Sequence, residues 1–245
     1  MPTAPRLRME RVSKRFGATI ALDEVSLSVN SGEILALVGE NGAGKSTLMK
    51  ILSGAHQPDA GEIWLHEFAY HPRTPLEGRR AGVAMIYQEL SLAKHLSVME
   101  NIVLGMEPTL GPVIDWREVR RRAGEAMAQL GRPDIPLDAA VGRLSLAQQQ
   151  LVEIARAIAI GCRVLVLDEP TSSLAKDDIS RLFELVRRLR SRGQAIVYIS
   201  HFLEEVKEIS DRFVVLRDGK TVGGGITSEA TTTMAITMTQ VRGMG

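Results

Sequence analysis

The sequence predicts an α/β fold, a largely parallel sheet covered by helices and interrupted by a helical insertion. Three observations predict it. Short continuous apolar runs recur, "ILALV" (34–38), "VAMIY" (83–87), "VLVL" (164–167) and "AIVYI" (195–199), with helix-like stretches between them. Strands that are apolar at every position are those buried on both faces, beneath helices above and below the sheet. From about 96 to 160 the chain instead reads mostly as helix. The glycine-rich "GENGAGKST" (39–47) lies between the first such strand and a helix-like stretch.

Each element has a local justification. "VSLSV" (25–29) alternates apolar and polar residues, the pattern of a half-buried strand. In the helical middle, "DWREVRRRAGEAMAQLG" places Trp116, Val119, Ala123, Met127 and Leu130 at steps of three and four, one apolar stripe for core packing, with Gly131 as its stop. Arg120, Arg121 and Arg122 read as a solvated face. "LSLAQQQLVEIARAIAIG" opens on Ser145 as N-cap, with Gln148 three residues on to complete a capping box, and Gly161 closes it. "FVVLRDGKTV" reads as a hairpin, because Asp218-Gly219 supplies a tight turn that tolerates positive φ. The tail, 226–245, is Thr- and Gly-rich with weak periodicity and reads as loose. No internal repeat is present.

Bulk properties narrow the function. At 245 residues and 44% hydrophobic, the chain can bury a substantial core. A formal charge of +1 gives no basic field for nucleic acid, and no nucleic-acid partner is expected. The one cysteine, Cys162, precedes an apolar run and reads as a buried, inert thiol. The N-terminus has no apolar signal-peptide core, and no apolar run approaches the ~20 residues needed to cross a bilayer. The chain is expected to be soluble, with any membrane role exercised through a partner.

Residues 39–47 contain Gly39-x4-Gly44-Lys45-Ser46, the P-loop pattern. Gly42 and Gly44 let the backbone curl so that N–H groups from Asn41 and Ala43 through Thr47 point at phosphate oxygens, and the helix starting near Lys45 adds its positive end. Lys45 is expected to bridge the β- and γ-phosphates and Ser46 to ligate Mg²⁺. "VLVLDEP" ends a strand in Asp168-Glu169. Asp168 is expected to hold the metal and Glu169 to polarise a water as general base. Alone, an Asp-Glu pair after a strand is an ordinary surface turn; beside a P-loop it is a second phosphate-side element. No guanine-reading Asn/Thr-Lys-x-Asp motif occurs, so ATP is the expected nucleotide.

"LSLAQQQ" begins at Leu144, with Ser145 23 residues before Asp168 (168 − 145). With the P-loop, this resembles the ATP-binding cassette (ABC) family, whose signature is usually written LSGGQ. The resemblance covers about residues 7–224. It implies a P-loop NTPase (RecA-like) core with an N-terminal antiparallel β subdomain and an inserted α-helical signature subdomain. As domains, that is one cassette over 1–225, its core about 1–90 and 161–225 and its helical part about 91–160. By resemblance, Gln88 is the Q-loop glutamine, which contacts Mg²⁺ and water and reports to the membrane partner. His201 is the switch histidine at the γ-phosphate, and Phe16 the aromatic that stacks on adenine. Alone, His201 reads as an ordinary strand-end residue and Phe16 as core. Ser145, Ala147 and Gln148 form the helix tip that faces the γ-phosphate held by a second cassette, so two copies sandwich two ATP molecules.

"IYQELSLAKHLSVMENIVLG", "DEPTSSLAKDD" and "YISHFLEEVKEISDRFVVLRDG" look like the ATPase subunits of bacterial simple-sugar importers. That resemblance implies membrane permease subunits as partners, a periplasmic sugar-binding protein indirectly, and a peripheral location on the cytoplasmic face of the inner membrane. Such subunits carry two cassettes in a longer chain; this sequence holds one. Two departures stand out: Ala147 where glycine is usual, and Ala175 where many members have aspartate. The alternatives are another cargo such as an amino acid or lipid, a soluble non-transport ABC ATPase, or a module that binds ATP without turnover.

Overall fold

The computed structural model describes residues 4–229. β1 (Leu7–Phe16) and β2 (Thr19–Val29) pair antiparallel, and Leu7, Met9, Val12, Leu22, Val25 and Val29 are buried. The register shifts around Arg11 and Glu24, which take φ of 50° and 52°. These bulges interrupt the period-two alternation, which hides β1 from pattern reading. β3 (Ile34–Val38) is wholly buried and runs through the glycine-rich loop into α1 (Lys45–Leu52). β4 (Ala60–Leu65) and β5 (Phe68–Ala69) complete a four-stranded antiparallel sheet in the order β2-β1-β4-β5. α2 (Pro75–Arg80) starts on a Thr74 cap with proline at its first position, then leads into β6 (Val83–Ile86).

The middle of the chain holds α3 (Val98–Val103), a small hairpin of β7 (Thr109–Leu110) and β8 (Val113–Ile114), α4 (Trp116–Gln129) and α5 (Leu146–Ala159). The chain then returns to the sheet through β9 (Val164–Asp168), α6 (Lys176–Ser191), β10 (Ala195–Ile199), α7 (Leu203–Ile209), β11 (Arg212–Arg217) and β12 (Lys220–Ile226). The second sheet has the order β12-β11-β3-β10-β9-β6, parallel except for the β12 edge. Its two faces serve two cores. Val164, Val166, Val197 and Ile199 pack with α1 and the antiparallel sheet. Leu165, Leu167, Ile196 and Tyr198 pack with apolar residues of α3 to α6. Every position of these strands is therefore an inside position, the physical origin of their unbroken apolar runs.

The fold departs from local reading in four places. Trp116 is 51% exposed, whereas Val119, Ala123, Met127 and Leu130 are buried. It is the first residue of α4, where the chain leaves the β7–β8 hairpin, so it precedes the packed turns. The hairpin itself interrupts a stretch that reads as helix, and its residues are exposed. "VSLSV" is the end of an eleven-residue strand. The expected loose tail is ordered at its start: Ile226 pairs with Arg212, and the Thr227 N–H donates to the Asp211 carbonyl at 2.9 Å. Its remainder, from 230, lies outside the described residues. Cys162 is buried, and burial pushes its thiol up to about 12.

Candidate functional site

The glycines of the loop are required by what surrounds them. A Cβ on Gly39 would stand 2.5 Å from the Leu216 carbonyl oxygen at the end of β11. Gly44 is left-handed at φ 102°, and a Cβ there would meet the Ala21 carbonyl at 2.7 Å. Gly44 is also the N-cap of α1, which no side chain caps and whose first turn holds no acidic residue. The helix therefore offers uncapped N–H groups and its positive end to an anion. Lys45 is 6% exposed, and its Nζ donates to the carbonyls of Gly39 (2.6 Å) and Glu40 (2.9 Å). Burial lowers its pKa, opposed by Glu169, Asp168 and Glu40.

Two carboxylates face this loop from the C-terminal end of β9. Burial, and then the neighbouring Glu169, raise the Asp168 pKa, while Lys45 opposes the shift. Glu169 sits at φ 46°, with its N–H bonded to the Ile199 carbonyl at 3.0 Å. That backbone conformation costs on the order of 1–3 kcal/mol in a non-glycine residue, strain of the kind that clusters at functional sites. Glu169 Oε1 lies 3.1 Å from His201 Nδ1. An open cleft of about 370 Å³ collects Asn41, Gly42, Gly44, Lys45, Ser46, Thr47, Gln88, Asp168 and Glu169. Ser46, Gln88 and Asp168 line an adjoining recess as well. Gly39 and Ala43 stand behind this lining, Gly39 as an acceptor for Lys45 and Ala43 buried. His201 joins the site through Glu169.

Phe16 does not line the cleft. It is 44% exposed, and its ring meets His56 edge-on at a centroid separation of 5.3 Å. Thr19, Ile20 and Ala21, beyond the β1–β2 turn, line the cleft instead. Sequence reading missed these three because their only signal is the fold of β2 past the glycine loop. The predicted signature residues lie apart from the cleft. Ser145 is the exposed N-cap of α5, its Oγ accepting from the Gln148 N–H at 3.3 Å while Gln148 Oε1 accepts from the Ser145 N–H at 3.0 Å. Ala147 is half-buried in the first turn. Gln150, also missed, is buried and donates to the Pro170 carbonyl at 2.7 Å, tying α5 to the turn after Glu169.

A glycine loop feeding an uncapped helix, with a lysine, a hydroxyl and two carboxylates on a parallel sheet's C-terminal edge, defines a P-loop nucleotide-binding cassette. The sequence pattern of ABC transporters matches residues 22–172, more than half of the chain, and the chain belongs to that family. It is 50% identical over 218 residues to the ribose import ATP-binding protein RbsA of Chromobacterium violaceum, a match covering 89% of this chain and 43% of that protein. It is 53% identical over 224 residues to the ribose import ATP-binding protein RbsA 1 of Burkholderia ambifaria, again covering 89% and 43%. The chain thus spans less than half the length of these relatives. Among solved structures, the ADP conformation of MJ1267, an ATP-binding cassette of an ABC transporter, is similar with a TM-score of 0.86 at 27% identity, covering 98% of this chain and 100% of that one. Among the described residues, no helix is long and apolar enough to cross a membrane.

Proposed function

We propose that this chain binds and hydrolyses ATP to power a simple-sugar importer, acting on permease subunits at the cytoplasmic face of the cell membrane. The observation that carries the chemistry is the convergence of Lys45, Ser46, Gln88, Asp168 and Glu169 on one cleft. The likeness to ribose import proteins supports the cargo class. A periplasmic sugar-binding protein would act at one remove, through the permease.

In this reading the loop N–H groups and Lys45 hold the triphosphate. Lys45 exchanges its carbonyl partners for phosphate oxygens, a better partner for a desolvated cation. Glu169 accepts the proton of the attacking water, and His201 steadies that carboxylate through Nδ1. The donor set fits Mg²⁺: a hydroxyl, an amide and a carboxylate are hard oxygen ligands, and phosphate and water complete such sites. Asp168 is a half-buried carboxylate beside Glu169, where a cation would relieve the partial desolvation and mutual repulsion that raise its pKa. Bound there, the ion would neutralise charge on the phosphates. The exposed tip of α5, with Ser145, Ala147 and Gln148, serves the nucleotide of a second cassette.

The test is a pair of variants. Lys45→Ala should abolish binding of a fluorescent ATP analogue, and unchanged affinity would overturn the phosphate-cradle assignment. Glu169→Gln should keep affinity while lowering hydrolysis by roughly 10²–10⁴-fold. Equal turnover in Glu169→Gln and wild type would remove Glu169 from the chemistry.

A further inference from the structure

We infer that Glu205 is a positioning residue for hydrolysis, a half-buried clamp that sets the spacing between Glu169 and His201. The inference rests on the reading of those two residues as the hydrolytic pair. Glu205 lies on α7, outside the cleft and touching neither phosphate-facing side chain. Its carboxylate collects three hydroxyls: Thr171 Oγ1 donates at 2.7 Å, Tyr198 Oη at 2.8 Å and Ser200 Oγ at 3.0 Å. Their residues are 6%, 0% and 1% exposed.

The placement of these donors gives the clamp its meaning. Thr171 is two residues past Glu169, in a turn closed by the Ser172 N–H to the Glu169 carbonyl (3.2 Å) and the Leu174 N–H to the Thr171 carbonyl (3.1 Å). Ser200 immediately precedes His201, and its Oγ also accepts the Phe202 N–H at 3.0 Å, so both sides of His201 are pinned. Tyr198 anchors the arrangement to the β10 core, its ring edge-on to Phe183. An ionised carboxylate is an acceptor-only group with lone pairs enough for three hydroxyls. Hydrogen bonds to an ionised acceptor are about twice as strong as neutral ones, so they hold the two turns more stiffly. The separation that results is the 3.1 Å contact between Glu169 and His201.

The experiment measures steady-state hydrolysis, ATP dissociation constant and melting temperature on the whole chain. Glu205→Gln and Thr171→Val should lower kcat roughly 10- to 100-fold, the cost of a small misplacement, with Kd and melting temperature near wild type. Thr171→Ser keeps the hydroxyl and should restore kcat. Adding Glu205→Gln to His201→Ala should lower kcat no further, since residues acting as a unit are not additive. Undiminished kcat in Glu205→Gln overturns the inference. So does a kcat loss that only tracks a fall in melting temperature or ATP affinity, or a fully additive double variant. If wild type and Glu169→Gln hydrolyse ATP equally, the catalytic reading itself has failed and the clamp falls with it.

Discussion

At the residue scale, the cleft is a set of polar groups held short of their preferred partners. Lys45 is desolvated onto two backbone carbonyls, Asp168 is half-buried beside another carboxylate, and Glu169 is held at positive φ. Such an arrangement is poised to gain when an anion and a cation arrive. It also has a measurable cost without them. The folded pKa of Asp168 lies above its unfolded value, so between the two the folded state keeps a proton that the unfolded chain has released. Stability therefore falls as pH rises through that window, and the penalty persists in full above it. Asp168→Asn removes the ionisable group. The nucleotide-free variant should melt a few degrees above wild type at pH 7, with the gap closing as pH is lowered toward ~4. A variant that melts lower than wild type at pH 7 would mean that the Lys45 attraction outweighs burial.

At the scale of elements, helix starts explain much of what was legible. α3 and α5 each begin on a serine completing a capping box, with Glu100 and Gln148 at the third helical position. The motif was readable for α5 because a box needs only residues three apart. α6, like α1 and α7, starts without a side-chain cap. Its N-cap is Ala175, with no side-chain hydrogen bond, although Asp177 and Asp178 complement the dipole in its first turn. Ala175→Ser should supply the missing acceptor and stabilise the protein by about 1 kcal/mol, within the usual range of 0.5–2. A denaturant midpoint unchanged or lowered relative to wild type would refute it. What the elements hid was equally physical. β1 carries three bulge-like register shifts against β2 that break alternation, and the β7–β8 hairpin buries nothing, so neither has the periodic signature that burial imposes.

At the scale of the whole molecule, the cleft and the α5 tip are separate places. The cleft opens at the C-terminal edge of the parallel sheet, whereas Ser145 is exposed at the start of a helix in the inserted region and lines none of that cleft. In the proposed function, two copies meet head to tail, each tip closing the other's cleft. Glu169→Gln at saturating ATP and Mg²⁺ should therefore elute as a dimer from a sizing column, and wild type without nucleotide as a monomer. Elution of the variant as a monomer throughout would remove the sandwich from the account. Within one copy, Gln150 links α5 to the Pro170 carbonyl, one residue past Glu169, so the helix behind the tip is tied to the turn that follows Glu169.

The sequence by itself determined the phosphate loop, the caps and turns, the buried strands and the family. These depend on residue types within a few positions of one another, or on a period set by two-sided burial. The tertiary structure alone decided that Thr19, Ile20 and Ala21 line the cleft, that Trp116 stands outside the core, and that Glu205 gathers hydroxyls from β10 and two separate turns. Those outcomes depend on which segments the parallel register brings side by side. Contacts between distant segments have no period along the chain and leave no local trace in it.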